Sequence, residues 1–235
     1  MHLEMKRIFV LGDSISLHYG PYLQQDVEGK FLYDRKGGSE AAAVGQQELD
    51  FPTHHATING GDSSMCLEFL NQHLGSNPSP SIDTADYVLL NCGLHDIKIN
   101  AGTKSQQVSL DRYEQNLKEM VHLFHDDDER RRSKKPKLIW IRTTPIDEQL
   151  HNQLQPRFHR FQADLERYQQ SADKVMKEHN IPMIDLYSFT LNLQKNSHPK
   201  NELWQDHVHF HPHVREKQAA FIAGFLDCLS SSEKR

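Results

Sequence analysis

Short apolar, β-branched runs recur along this chain and alternate with segments of helical spacing, a rhythm that few folds can satisfy. The runs are Ile8 to Leu11, Tyr87 to Cys92, Leu138 to Arg142 and Ile181 to Leu186, with a weaker one at Ala56 to Asn59, so five strands are expected. Between the later runs, Leu110, Tyr113, Leu117, Val121 and Phe124 form one helical stripe, and Phe158, Phe161, Leu165, Tyr168, Ala172 and Val175 form another. A last stripe, Val214, Ala219, Phe221, Ile222 and Phe225, follows Pro212 and is expected to close the fold as a C-terminal helix. Strands that alternate with helices in this way build a parallel sheet covered on both faces.

The chain of 235 residues is long enough for one sizeable α/β core and short for two, so residues 1–235 are read as a single domain. Charged residues of both signs make up 25% of it and hydrophobic residues 37%, which fits a globular domain with a polar surface. A net charge of -5 provides no basic field for neutralising phosphates, and nucleic acid is not an expected partner. Three separated cysteines without a CxxC pair imply neither a disulfide framework nor a thiolate zinc site. The N-terminus runs directly into the first strand with no signal-peptide core, and no stretch approaches the roughly 20 apolar residues of a membrane span. A soluble, cytoplasmic protein without membrane insertion is expected, or a secreted one if a leader precedes this sequence. The sequence implies nothing about oligomeric state.

In parallel α/β sheets, functional groups gather beyond the carboxyl ends of the strands. The first strand ends in Leu11-Gly12-Asp13-Ser14, which places a serine hydroxyl at a strand-to-helix turn with backbone N–H groups aimed at the same point. Asp13 and Ser14 are equally good helix caps, so a nucleophile and a cap both fit this turn. The turn is not the GxSxG elbow, because Ser16 stands two residues after Ser14.

A serine nucleophile requires a base and a group to orient that base. Asp206-His207-Val208-His209-Phe210-His211-Pro212-His213 offers four histidines before the last helix. From Asp206 the chain can fold back over one turn to His209, the carboxylate holding one ring nitrogen while the other faces a hydroxyl. Two other readings stay open: a polar loop of surface histidines, and a zinc site. Pro212 and the alternation of side chains between two faces weigh against zinc, so no metal and no cofactor is expected. The charged block Asp126 to Lys135, between a helix and a strand, reads as a solvated loop, and the Pro-containing Ser76 to Ser81 as a turn-rich connection.

Ser14 together with the Asp206/His209 pair resembles the first and last blocks of the SGNH hydrolases, also called GDSL esterases. Asn59-Gly60-Gly61-Asp62 looks like that family's glycine block, whose alignment makes Gly61 an oxyanion-hole amide. Cys92-Gly93-Leu94-His95-Asp96 falls where the family has Gly-x-Asn-Asp, with His95 in place of the oxyanion-hole asparagine. A histidine can donate from a protonated ring nitrogen, so the role carries to His95, with a strength that depends on tautomer and pH. Asn91 is a weaker alternative donor because it sits in a strand. The resemblance implies a three-layer α/β/α sandwich with a five-stranded parallel sheet, the flavodoxin-like SGNH fold. It also implies attack of Ser14 on an ester carbonyl, with His209 as base, Asp206 as its orienter, and the Ser14 and Gly61 amides with His95 around the oxyanion.

The family handles acetylated sugars, lipids, lysophospholipids and thioesters. Lack of an apolar lid or interfacial helix leans toward a short acyl or acetyl group on a carbohydrate, so the expected partner is a small-molecule or oligosaccharide ester. Lipid, lysophospholipid or thioester substrates remain alternatives, as does a catalytically silent carbohydrate-binding protein on this fold. Arg142, at the end of the fourth run, is a candidate substrate contact at the pocket rim, with a structural strand-end role equally open.

Overall fold

A computed structural model describes residues 5–38, 55–74, 82, 84–125, 135–196 and 203–233. Residues 76–81 and 126–134, which cover most of the turn-rich connection and the charged loop expected from the sequence, lie outside the described residues, as do residues 1–4.

In chain order the elements are β1 (Lys6–Leu11), α1 (Ser14–Asp26), β2 (Phe31–Arg35), α2 (His55–Ile58), α3 (Ser63–His73), β3 (Tyr87–Leu90), β4 (Ile99–Asn100), α4 (Leu110–His125), β5 (Lys137–Ile141), α5 (Glu148–Leu154), β6 (Phe158–His159), α6 (Gln162–Glu178), β7 (Met183–Ile184), α7 (Leu186–Asn196) and α8 (Pro212–Ser232). Five strands pair in parallel in the order β2-β1-β3-β5-β7. Helices α1, α7 and α8 pack together on one face, and α3, α4 and α6 on the other. The result is the expected three-layer α/β/α sandwich. Burial on both faces explains why the inner strands read as unbroken apolar runs: Val88, Leu89 and Leu90 are all 0% exposed. Each such side chain contributes about 1.5–3 kcal/mol by leaving water.

The count of five holds for the parallel sheet, beside which β4 and β6 form a separate pair, but one of its members was not legible. Ala56 to Asn59, read as a strand, lies mainly in the single helical turn of α2, and the fifth strand is β2. Ile58 is apolar because it packs on Leu17 outside the sheet. Phe31–Arg35 hides its strand character because, among the described residues, it is an edge strand paired only with β1; its second residue, Leu32, is 38% exposed, and Asp34 and Arg35 break the apolar run. The stripe assigned to α6 also begins too early. Phe158 pairs in β6 with Asn100 of β4, and Phe161 is an extended N-cap (φ -121°, ψ 139°).

The strand order reverses between β1 and β3, so the crevice at their carboxyl ends is the place where this architecture leaves room for a ligand. The turns after both strands, Gly12–Ser14 and Asn91–Asp96, converge there. The Asn91 amide N–H donates to the Leu11 carbonyl oxygen at 3.0 Å.

Candidate active site

Asp13 and Ser14 divide the two roles that their sequence left open. Asp13 is the N-cap of α1, fully buried, with Oδ1 accepting from the Ile15 amide at 3.0 Å. Burial pushes its carboxyl pKa up, against the pull of the Ile15 amide and of positive charge on His209, Arg160 and Lys98. Ser14 is therefore released from capping, and its Oγ lies 2.8 Å from Nε2 of His209. The turn is pinned from the side by the Gly60 amide, which donates to the Gly12 carbonyl at 2.8 Å. A Cβ on Gly60 would stand 2.9 Å from the Gly12 carbonyl carbon, so this approach requires glycine.

His209 reaches Ser14 across 195 residues because the chain before α8 folds into a small closed loop. Trp204 bridges to Phe210 with rings stacked 4.6 Å apart, and Arg215 on α8 donates to the Phe210 carbonyl and to Gln205. Within this loop Asp206 Oδ1 accepts from the Val208 and His209 amides, both at 2.7 Å. Its Oδ2 lies 2.7 Å from His209 Nδ1. Burial pushes the Asp206 carboxyl up, but the His209 ring and the two amides outweigh it and hold the pKa well below the usual carboxylate range. A carboxylate that stays ionised keeps Nδ1 of His209 protonated, so the neutral ring presents an acceptor lone pair at Nε2 toward Ser14.

The other histidines of the run diverge. His207 turns to His151, their Nδ1 atoms 2.8 Å apart, and His211 and His213 stack on each other at 6.1 Å. His151 is fully buried, and burial, with Arg160 and His207 next, pushes its pKa down to about 3.

Gly61 is buried in a left-handed conformation (φ 73°), and its amide is engaged, donating to Asn59 Oδ1 at 2.8 Å. The expectation of an open Gly61 donor is corrected to that extent. The carboxamide two residues earlier closes an Asx-type turn on the very N–H that the glycine block was expected to offer. Asn91 is likewise committed, its Nδ2 donating to the Ile141 carbonyl at 2.8 Å. His95 is half-buried on the helical turn after β3, with Nδ1 at 3.1 Å from the Lys98 ammonium. Below it, Asp96 is fully buried and both carboxyl oxygens take the Ser63 amide, at 2.9 and 3.1 Å, which ties this turn to the start of α3.

Arg142 does not line the crevice. Its Nη1 lies 2.8 Å from Asp185 and its Nε 3.1 Å from Asp173, and the guanidinium packs 5.8 Å from the Tyr187 ring. These partners belong to α6 and to the segment after β7, the arrangement expected of a strand-end tie. Three neighbours of the site escaped sequence reading. His18, one helical turn beyond Ser14, packs its ring at a tilt against that of His209. Arg160 is deeply buried, donates from Nε to the Leu94 carbonyl at 2.6 Å and carries the turn that bears His95; Lys98 touches His95 itself. The i+4 spacing of His18 from Ser14 was the only signal available for any of them.

Comparison with known proteins identifies the family and the fold. The protein belongs to the GDSL-like Lipase/Acylhydrolase family, whose model matches residues 10–215. The fold is similar to that of a lipase/acylhydrolase from Enterococcus faecalis, at 18% identity, with a TM-score of 0.62 over 94% of this chain and 95% of that one. It is also similar to the acetyl xylan esterase AlAXEase, at 16% identity and a TM-score of 0.60 over 93% and 98% of the two chains. An aryl esterase from M. smegmatis matches at 16% identity and a TM-score of 0.58, over 95% of this chain and 99% of that one. No curated protein matches the sequence. Among the described residues, no helix is long and apolar enough to cross a membrane.

Proposed function

We propose that this protein is a serine ester hydrolase that removes a short acyl group, foremost acetyl, from a carbohydrate. The observation that carries the reading is the contiguous path Ser14 Oγ to His209 Nε2 at 2.8 Å and His209 Nδ1 to Asp206 Oδ2 at 2.7 Å. In this reading Ser14 Oγ attacks the ester carbonyl while His209 Nε2 takes its proton. The resulting imidazolium, steadied by the Asp206 carboxylate, returns the proton to the departing alcohol. Water then enters, loses its proton to His209, and releases the acid from Ser14 in the reverse sequence. The tetrahedral anion is held by the Ser14 amide at the start of α1 and by a ring N–H of His95; the Gly61 amide joins them when the Asn59 carboxamide yields.

The carbohydrate part of the proposal draws on the surroundings of the site. A cavity of about 330 Å³ borders Asp206 and presents Gln149, Gln153, Gln205 and the Trp204 ring. Another of about 430 Å³ borders Lys98 and presents Asn100, Ser105, Gln106 and Gln107. Amide and hydroxyl groups beside an aromatic ring suit a polyhydroxylated alcohol better than an acyl tail. One of the fold relatives is named for acetyl xylan.

The experiment is hydrolysis of p-nitrophenyl acetate, p-nitrophenyl esters of rising chain length, acetylated xylan and acetylated sugar oligomers, with and without EDTA. The expected result is turnover that is fastest for acetyl esters, extends to the carbohydrates and is indifferent to EDTA. Turnover confined to long-chain esters would overturn the carbohydrate assignment, and no turnover on any ester would overturn hydrolysis.

A further inference from the structure

The substitution of histidine for the family's asparagine raises a problem that an amide donor never meets. An asparagine always carries N–H on one end of its carboxamide, whereas a neutral imidazole carries one proton on either of two nitrogens. A ring protonated on the wrong nitrogen would aim a lone pair at an anion. The turn after β3 contains a group able to settle the choice. Lys98 lies three residues from His95 on the same helical turn, its amide donating to the His95 carbonyl, and its Nζ stands 3.1 Å from His95 Nδ1.

We propose that Lys98 is a positioning residue that fixes the tautomer of His95, its ammonium donating to Nδ1 so that the ring proton resides on Nε2, where it serves the oxyanion. An ammonium has three donors and no lone pair, so a contact with Nδ1 makes that nitrogen an acceptor. The ring's only remaining site for a proton is then Nε2. The arrangement parallels the Asp206–His209 contact with opposite sign. There a carboxylate keeps a proton on Nδ1, so that Nε2 can accept; here a cation keeps Nδ1 bare, so that Nε2 can donate. Lys98 is itself held in place: its Nζ sits 4.9 Å over the Phe158 ring, on β6, and its backbone carbonyl accepts from the Gln107 amide at 2.8 Å.

The charged groups that face Lys98 come from four parts of the fold. Arg160 follows β6, Asp13 precedes α1, Asp62 precedes α3, and Asp96 is in its own turn. Burial pushes the Lys98 pKa down to about 8, with Arg160 acting in the same direction and the three carboxylates opposing. Below that pH the ammonium is present and the Nε2–H tautomer is enforced. Above it a neutral amine can accept as well as donate, and the enforcement lapses.

The inference rests on the proposed oxyanion role of His95, and the two are tested by separate readouts. The tautomer is read from the ring ¹⁵N shifts of His95, assigned by comparison with His95→Asn. The expected result is a proton on Nε2 at pH 7 in the unaltered protein and in Lys98→Arg, and a mixture or an Nδ1 proton in Lys98→Met. An Nδ1 proton on His95 in the unaltered protein would overturn the proposal even if neither Lys98 variant folds. Kinetically, Lys98→Met should lower kcat on p-nitrophenyl acetate by about tenfold or more, toward the ~10²- to 10³-fold loss of a whole oxyanion donor, with little change in KM. On a His95→Asn background the same change should cost less than about twofold, because an amide has no tautomer to set. An equal loss on both backgrounds would show that Lys98 acts otherwise and would overturn the proposal. If His95→Ala proves neutral, the oxyanion role fails, while the ring shifts still decide what Lys98 does to the imidazole.

Discussion

The rings of His18 and His209 lie 4.6 Å apart at the centroids and tilted by 53°, so the residue one turn beyond the nucleophile forms a wall against the base. Burial, with positive charge at His209 and Arg215 next, pushes the His18 pKa down to about 2. His18 is therefore uncharged at any working pH and acts by contact. His18→Phe should preserve the wall, leaving the acid limb of the kcat/KM profile where it is. His18→Ala should free the His209 ring and lower kcat by roughly 10- to 100-fold, the cost of a base displaced by about an ångström. A shift of the acid limb in His18→Phe by a full pH unit would show that His18 titrates with the site.

His207 and His151 make a different kind of pair. With Nδ1 atoms 2.8 Å apart and His151 fully buried, one ring donates and the other accepts. His207→Ala leaves a buried ring nitrogen without its partner, which costs about 1–3 kcal/mol. The expected outcome is a melting temperature lowered by several degrees and a kcat within a few-fold of the original. His213→Ala should move neither. A loss in His207→Ala as deep as that in His209→Ala would mean that the wrong histidine has been assigned as base.

Arg142 provides a test that separates a structural tie from a substrate contact. Replacement by alanine strips Asp173 and Asp185 of their cation, and a half-buried ion pair of this sort contributes about 1 kcal/mol. Arg142→Ala should lower the melting temperature slightly and leave KM for acetylated sugars unchanged. A raised KM with unaltered stability would return Arg142 to the crevice.

Glu233, at the end of α8, gathers Lys6, Lys137 and the Tyr87 hydroxyl within 2.6–2.7 Å and so fastens the last helix to β1, β3 and β5. Burial pushes its carboxyl up, but the hydrogen bonds from Lys137, Lys6 and Tyr87 outweigh it and bring the pKa down to about 2. A carboxyl depressed on folding adds stability above its unfolded pKa, and that stability is lost as pH falls through the folded value. The gap in melting temperature between the unaltered protein and Glu233→Gln should thus be constant from pH 5 to 7 and close between roughly pH 4.5 and 2. A gap independent of pH over that interval would contradict the account.

What could be read in advance followed from local chemistry. The meeting of Ser14, Asp206 and His209 was legible because a strand-end serine and an acid three residues from a histidine are short-range patterns. The central strands were legible because burial on both faces leaves no room for polar residues. What escaped depends on the whole fold. Among the described residues β2 carries only one paired edge and so lacks an apolar run, and Phe158 joins a two-residue strand whose partner, β4, lies far away in sequence. Lys98 and Arg160 carry no signal in the sequence, because nothing nearby reveals that the Gly93–Val108 loop and the Arg157–Arg160 segment fold over each other. The engagement of the Gly61 amide by Asn59 was hidden for a related reason, since the side chain of the same block fills the site that the backbone leaves open.

The central claim, that His209 activates Ser14, is tested most directly by reaction with a fluorophosphonate, in which the serine oxygen bonds to phosphorus and fluoride departs. Peptide mapping by mass spectrometry should find the adduct on Ser14, absent in Ser14→Ala and formed at least ~10³-fold more slowly in His209→Ala. Labelling at another residue, or an undiminished rate in His209→Ala, would contradict it.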